Sequence, residues 1–197
     1  MRPRAMTRAA VTACALTIPL AAAAPADAAV LKKRLHVRVG DRAAVIGQAA
    51  PGVATLQVSR RGRWRTIARD RTTATGRYVL HDRVRRPMSL RARITVGGAV
   101  RRIGRLNGYR AASASWYGPG LYGNRLGCGG RLSPGRLGVA HKTLPCGSRL
   151  TLRHRGRTAR VRVIDRGPYV GGREFDLTEA TAKRLRFHGH GRILTTR

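Results

Sequence analysis

The second half of this 197-residue sequence holds the carboxylates Asp165, Glu174, Asp176 and Glu179. Asp165 ends an alternating apolar run in "VRVIDRGPYVGG", residues 161–172. Asp176 follows an apolar residue in "REFDLT", just ahead of a helical segment. His141 stands in "VAHKTLPCG", after a strand-like stub and before a Pro-Cys-Gly turn. Breaking a glycosidic bond needs a carboxylic acid to protonate the leaving oxygen. It also needs a second carboxylate or some other nucleophile. Trp116, Tyr117, Tyr122 and Tyr169 offer flat apolar faces for sugar rings, with polar atoms at their edges. Plain core packing is the alternative for each aromatic, and a structural role is the alternative for a lone histidine.

The charges around Asp165 work against an acid. A general acid must hold its proton near the working pH, which requires a raised pKa. Arg162 and Arg166 flank Asp165 and would lower it, while burial would raise it. Strand alternation turns Arg162 away from the face of Val161 and Val163. Arg166 is the stronger rival, because a contact between Asp165 and Arg166, or with the turn backbone, would be purely structural. Glu179 belongs to a helix start, and Glu174, after Gly-Gly-Arg, reads as a loop residue.

These residues need a β-rich frame. "RLGVAHKTLPCGSRLTLRHRGRTARVRVIDRGP" predicts strands around Val139, Leu150–Leu152 and Val161–Ile164, with a hairpin tip at 153–157. "FDLTEATAKRLRF" predicts the one helix: Thr178 is the N-cap, Glu179 lies in the first turn, and Lys183, Arg184 and Arg186 sit toward the end. A strand in "GRILTT" closes the chain. Many strands with one short helix suggest a small closed barrel. Upstream, residues 30–106 carry short alternating runs with turn signals at Pro51-Gly52, Arg61-Gly62 and Gly97-Gly98. Leu35, Val37, Val39, Leu56, Val58, Trp64 and Ile67 are core candidates there. A β-sandwich is expected. Asp41, Asp70, Asp82, His36 and His81 read as solvated loop residues. The small, polar "NGYRAASAS" at 107–115 reads as a linker.

Totals set the compartment. Arg2, Arg4 and Arg8, an apolar run from Ala9, and Ala26-Asp27-Ala28 make residues 1–28 a cleavable export signal, with no stable membrane span. Its removal leaves 38 Lys+Arg against 7 Asp+Glu, a net +31. The arginines are spread over alternating segments, so nucleic acid is not the expected partner. Attraction to anionic wall polymers and a mere preference for arginine on solvent faces remain as readings. With Cys14 gone, Cys128 and Cys146 form an even pair, and in an oxidising compartment one disulfide is expected. Two cysteines without C-x-x-C spacing and a terminal His188-Gly189-His190 make no zinc signature, so neither metal nor cofactor is expected.

"ASWYG" at 114–118, "AHKTLPCGSRLTL" at 140–152, "VRVIDRGPYVGGREFDLT" at 161–178 and the helix after them resemble the rare lipoprotein A family. These are six-stranded double-psi β-barrel proteins related in fold to expansins and to certain lytic transglycosylases. The resemblance covers about 113–197 and implies the barrel at 114–197; with the sandwich expected at 29–106 and the linker at 107–113, the chain is expected to be mainly all-β. The sandwich itself loosely resembles immunoglobulin-like spacer modules of exported bacterial proteins. The family's activity implies lytic cleavage of peptidoglycan glycan strands, in which the sugar's own hydroxyl is the nucleophile and one acid/base carboxylate suffices. By motif, Asp165 is that acid/base, His141 contacts or polarises the sugar, and Asp176 joins Trp116, Tyr117 and Tyr169 in holding substrate. The alternative is an expansin-like module that binds or loosens wall polysaccharide without cutting it. That alternative arises because the family's active members carry a glutamate eleven residues before the histidine, where this chain has Gly130. A secreted, wall-associated monomer is expected.

Overall fold

The computed structural model describes residues 28–197. The expected export signal, apart from Ala28, lies outside the described residues.

The first module has two sheets around one core. Strands β1 (Ala29–Arg34), β2 (His36–Arg38) and β3 (Arg42–Gln48) come first, followed by β4 (Val53–Arg60), β5 (Arg63–Arg71), β6 (Arg77–Arg83) and β7 (Met88–Val96). One sheet runs β1-β3-β6, antiparallel throughout. The other pairs β5 with β4, β4 with β7, and β7 with β8 (Ala99–Tyr117), while β2 lies parallel to β8. Alternation places Val45 and Leu80 of the first sheet, and Leu56, Ile94 and Leu106 of the second, in one shared cluster. Leu35, Val37 and Val58 are also buried, whereas Val39, Trp64 and Ile67 are half-buried. Trp64 lies under the Arg93 guanidinium, 4.2 Å from the ring centroid. Both expected two-residue hairpins form with positive φ at their central residues, Arg61-Gly62 and Gly97-Gly98.

The expected linker at 107–113 is corrected. These residues are the middle of β8, a continuous 19-residue strand shared by both modules. Their small size serves close packing rather than mobility. A Cβ on Gly108 would stand 2.3 Å from Val84 Cγ1 and 2.9 Å from the Arg86 carbonyl. Asn107 and Tyr109 are buried, and so are Ala112 and Ala114 further along.

The second module is a closed ring. It comprises β8, β9 (Val139–Ala140), β10 (Arg149–His154), β11 (Arg157–Asp165), β12 (Phe175–Thr178) and β13 (Gly191–Thr195). The order β12-β9-β11-β10-β13-β8 is closed by parallel pairing of β12 with β8, giving six strands and no free edge. Val139, Leu152, Val161, Val163, Phe175 and Leu177 fill the interior. Helix α1 (Glu179–Leu185) covers it with Ala182 and Leu185. Thr178 caps the helix as its side chain accepts from the Thr181 N–H, and Glu179 and Lys183 form an i,i+4 pair at 2.9 Å.

Candidate active face of the barrel

One row of residues crosses four strands of the ring. Asp165 on β11 is level with Ala140 on β9, Ala140 with Asp176 on β12, and Asp176 with Ser115 on β8. Residues in register across a sheet project from the same face. Val163, Val139, Leu177 and Trp116 alternate with this row and point into the barrel, so the row lies on the outside. A bulge makes this alignment. Two steps along β11, from Val163 to Asp165, match one step from Val139 to Ala140. The extra residue, Ile164, joins an outer cluster with Leu126 and Leu132, and Asp165 lands beside Ala140. The two aspartates are two strand spacings apart, ~10 Å between Cα atoms, with Ala140 between them in the row.

The two carboxylates differ in environment. Asp165 Oδ1 accepts from the Gly127 N–H at 2.6 Å and the Arg166 N–H at 2.8 Å, so the backbone fixes its orientation. The Arg166 guanidinium turns away. It donates to the carbonyls of Leu144 at 3.0 Å and His141 at 3.2 Å and to Cys146 Sγ at 3.0 Å. No ion pair joins Asp165 and Arg166, and Arg162 is exposed. Asp176 is the carboxylate whose pKa rises. Burial is the main cause and the neighbouring Asp165 charge adds to it, against the Ser115 hydrogen bond and Arg173. Ser115 Oγ donates to Asp176 Oδ1 at 2.8 Å.

Tyr117 completes the face. Its hydroxyl is buried and has no hydrogen-bond partner of acceptable geometry. Its pKa is pushed far up, first by burial and then by the Asp165 carboxylate, with Asp176 adding to the effect. A phenol held near two acids stays protonated. Tyr169, immediately after the Gly167-Pro168 turn, is 83% exposed.

Two expected site residues lie elsewhere. Trp116 alternates inward and packs against the barrel core, so it does not line the outer face. His141 meets Asp165 only through its main chain, where its N–H donates to the Asp165 carbonyl at 3.2 Å. Its ring packs on the buried Phe175, with centroids 4.9 Å apart. Nδ1 accepts from the N–H groups of Thr143 and Leu144 at 3.1 and 3.0 Å, which leaves the proton on Nε2. Nε2 lies 3.8 Å from Glu174, which Arg110 grips with two hydrogen bonds. Burial lowers the His141 pKa and Glu174 opposes it. Together with Lys142 and Arg173, His141 and Glu174 line a separate shallow depression of about 320 Å³. Glu174 is in a loop as expected, but it is an organising residue. The sequence signal for that was the scarcity of carboxylates itself.

Cys128 and Cys146 form a disulfide, pinning the glycine-rich segment that carries Gly127 to the loop after His141. Gly130 takes a left-handed φ of +77°. A Cβ there would stand 3.0 Å from a guanidinium nitrogen of Arg136. Arg136 therefore occupies the space into which a side chain at position 130 would project. Among the described residues no three His, Cys, Asp or Glu side chains gather as a metal site.

A family model described as lytic transglycolase matches residues 109–195. The second module belongs to the RlpA-like double-psi β-barrel family. The probable endolytic peptidoglycan transglycosylase RlpA of Synechocystis is 36% identical over 121 residues, covering 56% of this chain and 38% of that protein. Its namesake from Aquifex aeolicus is 42% identical over 79 residues, covering 39% of this chain and 35% of the relative. The endolytic peptidoglycan transglycosylase RlpA of Neisseria meningitidis serogroup A is 39% identical over 84 residues, covering 42% and 35%. This chain thus spans under two-fifths of the length of each of these relatives.

Proposed function

We propose that this protein cleaves peptidoglycan glycan strands by lytic transglycosylation, on the outer face of the barrel. The observation that carries the reading is the pairing of unlike carboxylates. Asp176 is held toward its protonated form beside Asp165, with a buried phenol near both. The relatives' names point to the same substrate. In the step, the C1–O4 bond between two sugars breaks and the leaving O4 takes the Asp176 proton. The C6 hydroxyl of the sugar left behind forms the new C1–O6 bond and gives its proton to Asp165. Exchange with solvent restores both carboxyl groups. The motif resemblance alone made Asp165 the sole acid/base; its anchoring by two backbone amides suits the base, and the environment of Asp176 suits the acid. Tyr169 offers an exposed ring on which a sugar can stack. His141 holds the 141–144 turn and acts through position. The substrate places the protein at the cell wall, consistent with an export signal at residues 1–28.

Purified peptidoglycan digested with the protein is expected to yield anhydro-muropeptides by mass spectrometry, with Asp176→Asn and Asp165→Asn each losing them. No anhydro product from the wild type overturns cleavage. One observation favours the second reading, a module that binds the wall without cutting: Gly130 and Arg136 stand where an acid is expected. Under that reading the wild type sediments with peptidoglycan but releases nothing.

A further inference from the structure

A second concave site lies where the two modules meet, away from the carboxylate row. It is a cleft of about 1160 Å³. The β4–β5 hairpin lines one wall with Arg60, Arg61, Arg63 and Arg65, and Arg86 stands at the start of the β7 side. The barrel contributes Arg149 and Arg197 to the opposite wall. All seven are exposed, and no carboxylate lines the cleft. Arg60 and Arg63 are also direct cross-strand partners, a like-charge pairing that costs stability in an unliganded hairpin.

The walls are held in place. Strand β8 runs unbroken through both modules. Ser89 and Thr151 join across the junction at 3.2 Å, and Arg105 Nε donates to Ser89 Oγ at 2.9 Å. The Arg105 guanidinium has its pKa lowered by burial and then by Arg160, Arg91 and Arg149, as expected where cations gather without counter-charge. A cleft lined by one sign of charge focuses the field and concentrates counter-ions.

We propose that this cleft binds a polyol-phosphate chain, a polymer of phosphodiesters joined by short polyols. Guanidinium groups fit phosphate oxygens in a planar, two-pronged geometry that a lone ammonium does not match. The volume exceeds what a single phosphate needs and suits several repeats. The remaining lining residues are Pro87, Met88, Ser89, Leu90 and Thr196. They supply an apolar strip and hydroxyls for a carbon backbone, and no aromatic ring on which a nucleic-acid base could stack. This inference goes beyond glycan cleavage and does not depend on it. It would give the protein a grip on an anionic polymer while the barrel's outer face engages a neutral backbone.

The test is calorimetric titration of the protein with synthetic poly(glycerol phosphate) at physiological salt. Arg60→Gln, Arg63→Gln and Arg149→Gln combined should weaken binding by at least about tenfold. Arg42→Gln, Arg71→Gln and Arg77→Gln remove the same charge from exposed positions outside the cleft, and should weaken it less than about threefold. Equal losses in the two variants overturn the site and leave diffuse charge as the cause. If the cleft variant melts early, Arg86→Gln with Arg197→Gln on the rim carries the same comparison, with a loss of about threefold expected. Duplex DNA or phosphatidylglycerol vesicles binding as tightly, with the same sensitivity to the cleft variant, overturn the polyol-phosphate assignment. Loss of glycan cleavage with retained polymer binding leaves this proposal standing, because the two sites share no residue.

Discussion

Aspartates of the two modules sit in different surroundings. In the first module they serve local structure at the surface. Asp41 pairs with Arg34 at 3.3 Å, both side chains well exposed, and Asp70 accepts from the Val79 N–H at 2.6 Å. In the barrel, Asp165 and Asp176 share one row of the sheet, one anchored by backbone amides and the other pushed toward its neutral form. The same residue type is a solvated acceptor where the sheet faces water. It is pushed toward its neutral form where a ring of strands buries it in the same row as a second carboxylate. Sheet closure, rather than composition, makes the difference.

The largest effect expected from this contrast is at Asp176. Asp176→Asn keeps an acceptor for Ser115 but removes the transferable proton, and should lower anhydro-muropeptide release by about 10²–10⁴-fold. Because the acid form is the active one, cleavage should fall as pH rises through the elevated pKa of Asp176. The substitution acts on stability with the opposite sign to its effect on activity. A carboxyl whose folded pKa exceeds its unfolded value binds more protons when folded, so its charge penalises the fold above that pKa. Asp176→Asn should therefore melt no lower than the wild type at neutral pH, and higher relative to it than at pH 3. Differential scanning calorimetry at the two pH values measures this. A variant that is inactive and also much less stable would make Asp176 a structural residue, and the contrast between modules would collapse.

The second effect concerns the cover over that row. Replacing Cys128 and Cys146 by serine opens an 18-residue loop and should cost about 3 kcal/mol, read as a lowered denaturant midpoint. Cleavage should drop more than Tm at assay temperature explains, because Gly127 would no longer hold Asp165. Wild-type rates in the double variant would show that the row orients itself without the glycine-rich loop.

How far the sequence carried this site depends on distance along the chain. The hairpin turns were legible because their chemistry is local: a glycine at the position that needs positive φ. The helix start was legible for the same reason, with Thr178 capping it as the pattern predicts. Asp165 and Asp176 were legible as candidates because carboxylates are scarce. The difference in their environments was not, because it arises from register between strands far apart in sequence and from one bulge at Ile164. Trp116 and Tyr117 illustrate this. They are neighbours of the same chemical class, and only the register of β8 against β12 sends one inward and one to the acids. His141 was legible as a residue with partners, but those partners, Glu174 and Arg110, come from segments that read as loop and linker. The supposed linker misled because small residues serve both flexible tethers and crowded strand crossings. The close contact at Gly108 and the burial of Asn107 and Tyr109 separate the two.

The smallest effect belongs to the first module, and it completes the comparison. Asp70→Ala removes one exposed hydrogen bond to the Val79 amide, between β5 and β6. That amide can turn to water, so the change should cost at most about 1 kcal/mol in a denaturant titration. It should leave both anhydro-muropeptide release and the pH profile where they were. An aspartate in a strand of this module that altered the pH profile would mean that the modules are coupled through β8 to the carboxylate row. The strand is continuous, so the coupling has a physical route. A null result at Asp70, beside a large one at Asp176, would show that the strand transmits position between the modules without transmitting charge.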